Sequence, residues 1–303
     1  MGALIGAGSG EARRDFRNTR IRRGGPMTRL QQFYGGVGVP MTVPSQPDEV
    51  ASAWRSQRRR LRSWFAGLDD DAWTEKTRCS EWDVTDLAQH LVSGAQFLGF
   101  TLHEANKGRP TRLLEGFDPQ QTPGAAAGLF RGLSSGELVT QLGEMDASVD
   151  SEIDRLTGEG GQNPAEAPLG QVPAYVAVNH FLFDSWVHEY DLMLPAGRTP
   201  VLVPEEALVV ATYVLALSGV AHAVDDGQGA ERALHVHLTD LDRDLVVAVD
   251  RHGCHVEHSE AGGRCDVVAT TPALLDFATG RTSALRADAE AVVFLQGLAT
   301  LMG

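Results

Sequence analysis

Cysteine is scarce in this 303-residue chain: Cys79, Cys254 and Cys265 stand far apart. So few thiols, odd in number, build no disulfide framework and suit a reducing, cytoplasmic interior. Basic residues are also short, 26 Lys and Arg against 40 Asp and Glu, for a formal net charge of −14. A surface this acidic repels phosphate backbones and anionic headgroups, which argues against nucleic acid and membrane partners. The longest apolar run, residues 207–224, is broken by Thr212, Ser218 and His222. It falls short of the ~18 clean residues of a spanning helix. The N-terminus lacks the basic-then-apolar order of a signal peptide. Residues 1–26 instead combine glycines with Arg13, Arg14, Arg17, Arg20, Arg22 and Arg23. They read as a disordered leader or as a start placed too early, with Met27 and Met41 as alternatives. There is no Gly-rich phosphate loop after a strand, no Gly-x-Ser-x-Gly elbow and no Cys-x-x-Cys pair.

What is present suffices for a core. Hydrophobic residues make up 43% of the chain, enough for one large core or two modest ones, and length favours about two domains. After a leader over residues 1–45, residues 46–200 read as helical. Val50, Trp54, Leu61 and Trp64 recur at helical spacing, placing Arg58, Arg59 and Arg60 largely on the wet side, until Gly67 ends the helix. Asp83 followed by Asp86 resembles a capping box and opens a second helix that carries His90 to about Ala105. A third helix is predicted over 136–156, and a fourth between Pro173 and Pro195. The stretches 106–133 and 157–172, rich in Pro and Gly, read as long loops. Four helices with long connections suit a bundle. Pro204 opens a fifth, very apolar helix that could link two domains. Beyond it, residues 234–238 and 245–249 alternate apolar and polar, 254–256 do so weakly, and helices follow over 272–278 and 287–301. Residues 201–303 therefore read as a small α+β domain.

The fourth helix carries the chemistry. At ~100° per residue, His180, Asp184, His188 and Asp191 share a narrow stripe, while Tyr175, Phe181, Leu182, Phe183, Trp186, Val187 and Tyr190 make the other faces apolar. Side chains at i and i+4 stand ~5–6 Å apart, close enough for Asp184 and His188 to reach one ion. His180 lies two turns from His188, too far to share that ion. A third ligand has to come from another helix, and His90, on the border of an apolar face, is the best placed. Two imidazoles and a carboxylate suit a catalytic Zn²⁺ with an open position, with Fe²⁺, Mn²⁺ or Ni²⁺ as alternatives. The same spacing also occurs on solvated helix faces.

Two stretches resemble a known family. Thr77-Arg-Cys79-Ser-Glu-Trp82-Asp-Val-Thr-Asp-Leu-Ala-Gln-His90-Leu is similar to T-x-C-x-x-W-x-V-x-D-L-x-x-H-L. Asp184-Ser-Trp-Val-His188-Glu-Tyr-Asp191-Leu is similar to E-x-x-V-H-x-x-D-L. Together they resemble the mycothiol-dependent maleylpyruvate isomerase family, over roughly residues 46–303. That resemblance implies a mainly α protein, a DinB-like four-helix bundle followed by a small α+β domain, including the Gly280-Arg281 pair after an apolar helix. It implies a divalent metal, usually zinc, at His90, Asp184 and His188, with Asp184 standing where the pattern has Glu and one methylene shorter. It also implies mycothiol as a thiol cosubstrate.

The expected activity is S-transfer to, or isomerisation of, a small electrophile by a metal-held thiolate, since a coordinated thiol is deprotonated outright. Arg281 is a candidate to hold a substrate carboxylate across the domains, or else a surface residue after a capping glycine. His180 and Asp191 are candidates to orient ligands or substrate. Trp82 and Cys79 suit core packing, although Cys79 stands just before the His90 helix, where a thiol pKa can fall. His235, His237, His252, His255 and His258 suit the polar face of a half-exposed sheet, or a second metal site. A hydrolase or lyase using metal-bound water, and a non-catalytic small-molecule-binding protein, are the alternative functions.

Overall fold

A computed structural model describes residues 39–156, 158–225, 231–259 and 264–302. The leader expected before residue 46 lies outside the described residues as far as residue 38.

Four helices form a bundle: α1 (Pro47–Ala66), α2 (Val84–Asn106), α4 (Ser135–Ile153) and α5 (Ala174–Met193), with a short α3 (Thr122–Ala127) between α2 and α4. Their starts follow from local chemistry. Proline opens α1, and Glu49 accepts from the Gln46 amide. Asp83 and Asp86 bond each other's amides at the head of α2, and Ser134 and Glu137 do so at α4. Packing closes a ring in which α1 touches α4 and α5, and α2 touches the same two from the other side. Thus α2 and α5, the helices of His90 and of Asp184 and His188, face each other.

One expectation fails. Arg58 is buried and Arg60 largely so; only Arg59 lies on the wet side. Arg58 bonds Asp146 on α4 at 2.8 Å and the Ser185 hydroxyl on α5 at 2.8 Å. Arg60 bridges Glu189 and Glu206. The arginine run supplies ion pairs that tie α1 to its neighbours, which a reading of hydrophobic periodicity alone cannot see. Among residues 157–172, expected as loop, β2 (Pro164–Ala167) and β3 (Gly170–Pro173) form a hairpin, with Gly170 at φ +100°. The buried Glu166 carboxylate accepts from the amides of Leu113 and Leu114, both at 2.7 Å, and so ties down the preceding loop.

The apolar α6 (Pro204–Asp225) packs on α1 and α5 and also on the C-terminal elements. It is long and apolar enough to cross a membrane, with hydropathy 1.9, yet 89% of its apolar window is buried inside the protein. Against it lies a five-stranded sheet of order β1-β6-β5-β4-β7: β1 (Met41–Thr42), β4 (Arg232–Leu238), β5 (Arg243–Asp250), β6 (Gly253–Ser259) and β7 (Val267–Ala269). The expected antiparallel trio β4, β5 and β6 is flanked by parallel pairings, β7 on β4 and β1 on β6. Residues 41–42, read as leader, are thereby part of the sheet. Helices α7 (Thr271–Ala278) and α8 (Ala289–Met302) complete this region, and one continuous apolar cluster runs from Trp54 through α5 and α6 to Phe294. Gly219 on α6 permits the close approach of helix and sheet, since a methyl there would collide with the Cys254 thiol.

Candidate metal centre

Residues 77–83 form a tight loop that delivers the head of α2 to α5. The Thr77 hydroxyl donates to the Trp82 carbonyl at 2.9 Å and accepts from the Cys79 amide at 3.1 Å, and Trp82 N donates to the Cys79 carbonyl at 3.0 Å. The Arg78 amide donates to the Asp191 carbonyl at 3.1 Å, pinning the loop to the end of α5. Asp83 then caps α2, and two turns on His90 faces α5.

There His90 Nε2 lies 3.2 Å from Asp184 Oδ2, and His188 Nε2 lies 3.5 Å from Asp184 Oδ1. The two imidazoles meet edge to face, with ring centroids 5.0 Å apart. One ligand atom from each of the three residues falls within 4.8 Å of the others. Each imidazole nitrogen faces its own oxygen of the Asp184 carboxylate, at spacings near the ~3.4 Å between ligand atoms of a tetrahedral zinc with ~2.1 Å bonds. Two imidazoles and one carboxylate are also a donor set that a divalent cation such as zinc takes. His90 Nδ1 is buried and has no partner among the described residues.

His188 is held on its far side as well. Its Nδ1 lies 2.9 Å from Asp191 Oδ2, the geometry in which Nδ1–H donates to that carboxylate while Nε2 is turned towards Asp184. Asp191 is fully buried and is itself clamped. Arg281 Nε and Nη2 donate to its two oxygens at 2.8 and 2.5 Å, and Arg78 Nε adds a third contact at 3.0 Å. The other two Arg78 nitrogens hold Asp276 on α7, each at 2.8 Å. Arg281 follows Gly280, whose φ of +76° turns the chain back after α7 towards α5. It does reach across from the C-terminal region, and its guanidinium closes on Asp191. Cys79 joins the same knot, its thiol 3.4 Å from Asp191 Oδ2 and 3.8 Å from His188 Nδ1. Asp191 of the second motif, with Arg78 of the first and Arg281, is therefore a scaffold behind one imidazole, a role no spacing rule singled out for Arg78.

The charges follow this geometry. Burial alone would raise Asp184, but the imidazoles of His90 and His188 outweigh it and hold the carboxyl well below the usual carboxylate range. Burial would depress His188, but Asp184 and then Asp191 outweigh it and hold the imidazole well above its ordinary value. Asp191 is likewise lowered, because its bonds to Arg281 and His188 overcome desolvation. His180 behaves in the opposite way. Its Nδ1 meets the Tyr213 hydroxyl at 2.8 Å, and burial pushes it down to about 4 despite the attraction of Asp184, so the ring is neutral at physiological pH. His180 thus lies one turn from Asp184, on the same stripe, as a neutral hydrogen-bonding group and outside the three-residue cluster.

Aromatic rings frame the centre. Trp82 lies 5.1 Å from the His90 ring and 6.4 Å from that of His188, centroid to centroid. One turn further along both helices, Phe181 packs over Gly94 and lies 5.9 Å from Phe97. His90 and Asp184 keep 12% and 25% of their side-chain surface exposed, which leaves an open side for a further ligand.

Residues 54–193 match the family described as Mycothiol maleylpyruvate isomerase N-terminal domain. Two solved structures are similar in fold. One is a histidine-to-alanine mutant of the mycothiol-dependent maleylpyruvate isomerase, with TM-score 0.56 and 17% identity over 79% of this chain and 91% of that one. The other is the mycothiol-dependent maleylpyruvate isomerase itself, with TM-score 0.55 and 16% identity over 80% and 92%. No curated protein matches the chain by sequence. Residues 54–193 thus carry a mycothiol maleylpyruvate isomerase N-terminal domain, and most of the chain shares the fold of the two maleylpyruvate isomerase structures.

Proposed function

We propose that the chain is a metal-dependent enzyme that uses a low-molecular-weight thiol, mycothiol by family, for isomerisation of a small electrophile or S-transfer to it. The observation that carries this reading is the convergence of His90 Nε2, His188 Nε2 and the Asp184 carboxylate at 3.2 and 3.5 Å, with the opposite nitrogen of His188 fixed by Asp191. These three residues would hold the ion, most simply Zn²⁺, which when bound lowers the pKa of a coordinated thiol and keeps it as thiolate.

The protein's own groups do the rest. Asp191, gripped by Arg281 and Arg78, holds the proton of His188 on Nδ1 and keeps the Nε2 lone pair on the donor side. Trp82 covers one side of the two imidazoles and excludes water there. His180, oriented by the buried Tyr213 hydroxyl, offers a neutral hydrogen bond one turn from Asp184, suited to a substrate carbonyl rather than to a proton transfer that needs an imidazolium.

Zinc-loaded protein incubated with mycothiol and a panel of electrophiles tests the reading. Product, adduct or isomer, should form only when metal and thiol are both present. Turnover that ignores the thiol would instead favour metal-bound water, and hence hydrolase or lyase chemistry. Equimolar metal without any turnover would favour the binding protein.

A further inference from the structure

Asp276, near the end of α7, stands one step behind the residues already placed around His188. Its carboxylate accepts from Arg78 Nη1 and Nη2, each at 2.8 Å, a two-pronged pairing that fixes the plane of the guanidinium. That plane brings Arg78 Nε to Asp191 Oδ1 at 3.0 Å. The backbone carbonyl of Asp276 acts on the second arginine. It accepts from the Arg281 amide at 2.7 Å and from the Thr282 amide at 3.2 Å, and so sets the turn from which the Arg281 side chain reaches Asp191. Both guanidiniums on Asp191 are thus seated on one residue, and Asp191 in turn lies 2.9 Å from His188 Nδ1.

A plain staple between the bundle and the C-terminal region would use the same ion pair, but the packing does not need one. Helix α7 packs on α6 and α8 and buries Leu274, Leu275, Phe277 and Ala278. The loop of Arg78 is pinned by the bond from the Arg78 amide to the Asp191 carbonyl and by the bonds around Thr77. Neither element depends on the Arg78 side chain for its place. Arg78 and Asp276 keep 22% and 23% of their side-chain surface exposed, where an ion pair adds little to stability. What the pair does fix is the direction of a guanidinium whose remaining nitrogen is spent on a fully buried carboxylate behind His188.

We propose that Asp276 is a positioning residue of the metal centre. Acting through Arg78 and through the turn of Arg281, it holds Asp191 behind His188, so that the C-terminal region helps to set how firmly the bundle grips its ion. This rests on the reading of His90, Asp184 and His188 as metal ligands, and adds to it a control from outside the bundle.

Chelator competition on the full zinc-loaded chain tests it. Asp276→Asn, which keeps the backbone carbonyl and breaks the fork, should weaken zinc affinity about 3–10-fold, less than the loss of a group that touches a ligand directly. Asp276→Glu, which keeps a carboxylate, should recover most of that affinity. With Arg78→Leu already in place, Asp276→Asn should change affinity by less than about twofold, because its path to Asp191 is gone. The visible spectrum of the cobalt-loaded protein, which reports ligand geometry, should shift in Asp276→Asn. Gly219→Ala, which strains the packing of α6 on the sheet, should alter neither affinity nor spectrum. Zinc affinity or cobalt spectrum unchanged in Asp276→Asn, an equal loss with Arg78 already removed, or a similar loss in Gly219→Ala would overturn the proposal and leave the metal centre standing. A wild-type chain that takes up no zinc would overturn the centre and this proposal together.

Discussion

Histidines lie beside carboxylates in both the bundle and the sheet, with different outcomes. On α2 and α5, His90, Asp184 and His188 point at one another across a helix–helix contact, and the far side of His188 is locked by Asp191. On the sheet, His235 and His237 project from β4 and His255 from β6, two strands away. Side chains two apart on a strand run parallel, and alternate strands lie ~10 Å apart, so they share a face without a common focus. His237 pairs with Asp244 at 2.8 Å, and among the described residues no three-ligand group includes a sheet histidine. Opposed elements create convergence; a shared face does not.

The sharpest way to break this comparison is to remove one histidine from each region. His188→Ala should empty the centre, exceeding the ~100-fold loss typical of an outer-shell deletion, as read by zinc content after dialysis. His237→Ala should leave zinc content unchanged; equal losses from both would erase the distinction drawn here. Next in size, Asp191→Asn should weaken zinc affinity by ~10–100-fold in chelator competition, because His188 loses its anchor while every ligand remains.

The third effect is on stability. His180 has a folded pKa of about 4, below the usual ~6.5, so between these values the unfolded chain binds more protons. Stability should therefore be retained above pH ~6.5 and fall as pH drops towards 4, by at most about 3 kcal/mol from this group. Urea melts of the wild type and His180→Asn over that range should differ in slope, with the steeper acid loss in the wild type. Within the sheet region, Gly219→Ala should cost ~1–3 kcal/mol by forcing α6 away from Cys254, with zinc content intact. The smallest expected change is Asp184→Glu. Asp184 already faces both imidazoles at 3.2 and 3.5 Å, so an added methylene should weaken zinc binding modestly rather than improve it, in spite of the family pattern.

Much of the bundle was legible because its signals are local. Asp83 with Asp86, Pro47 and the i, i+4 pair of Asp184 and His188 each state their structure within one helical turn. The pairing of His90 with that pair was legible only through its place on the border of an apolar face and through the resemblance of the two motifs. What escaped depends on contacts distant in sequence. Arg58 looks like a solvated cation until Asp146, 88 residues away, is brought against it. Arg78 and Arg281 become a clamp only when the loop before α2 and the turn after α7 meet at Asp191. The β2–β3 hairpin was hidden by its prolines and glycine, and strand β1 by its two-residue length.

Anomalous diffraction at the zinc edge from crystals of the zinc-loaded protein tests the central claim directly. The account requires one strong peak between α2 and α5, at ~2.1 Å from His90 Nε2, His188 Nε2 and an Asp184 oxygen. A peak elsewhere, or none at that position with zinc bound in solution, would contradict it.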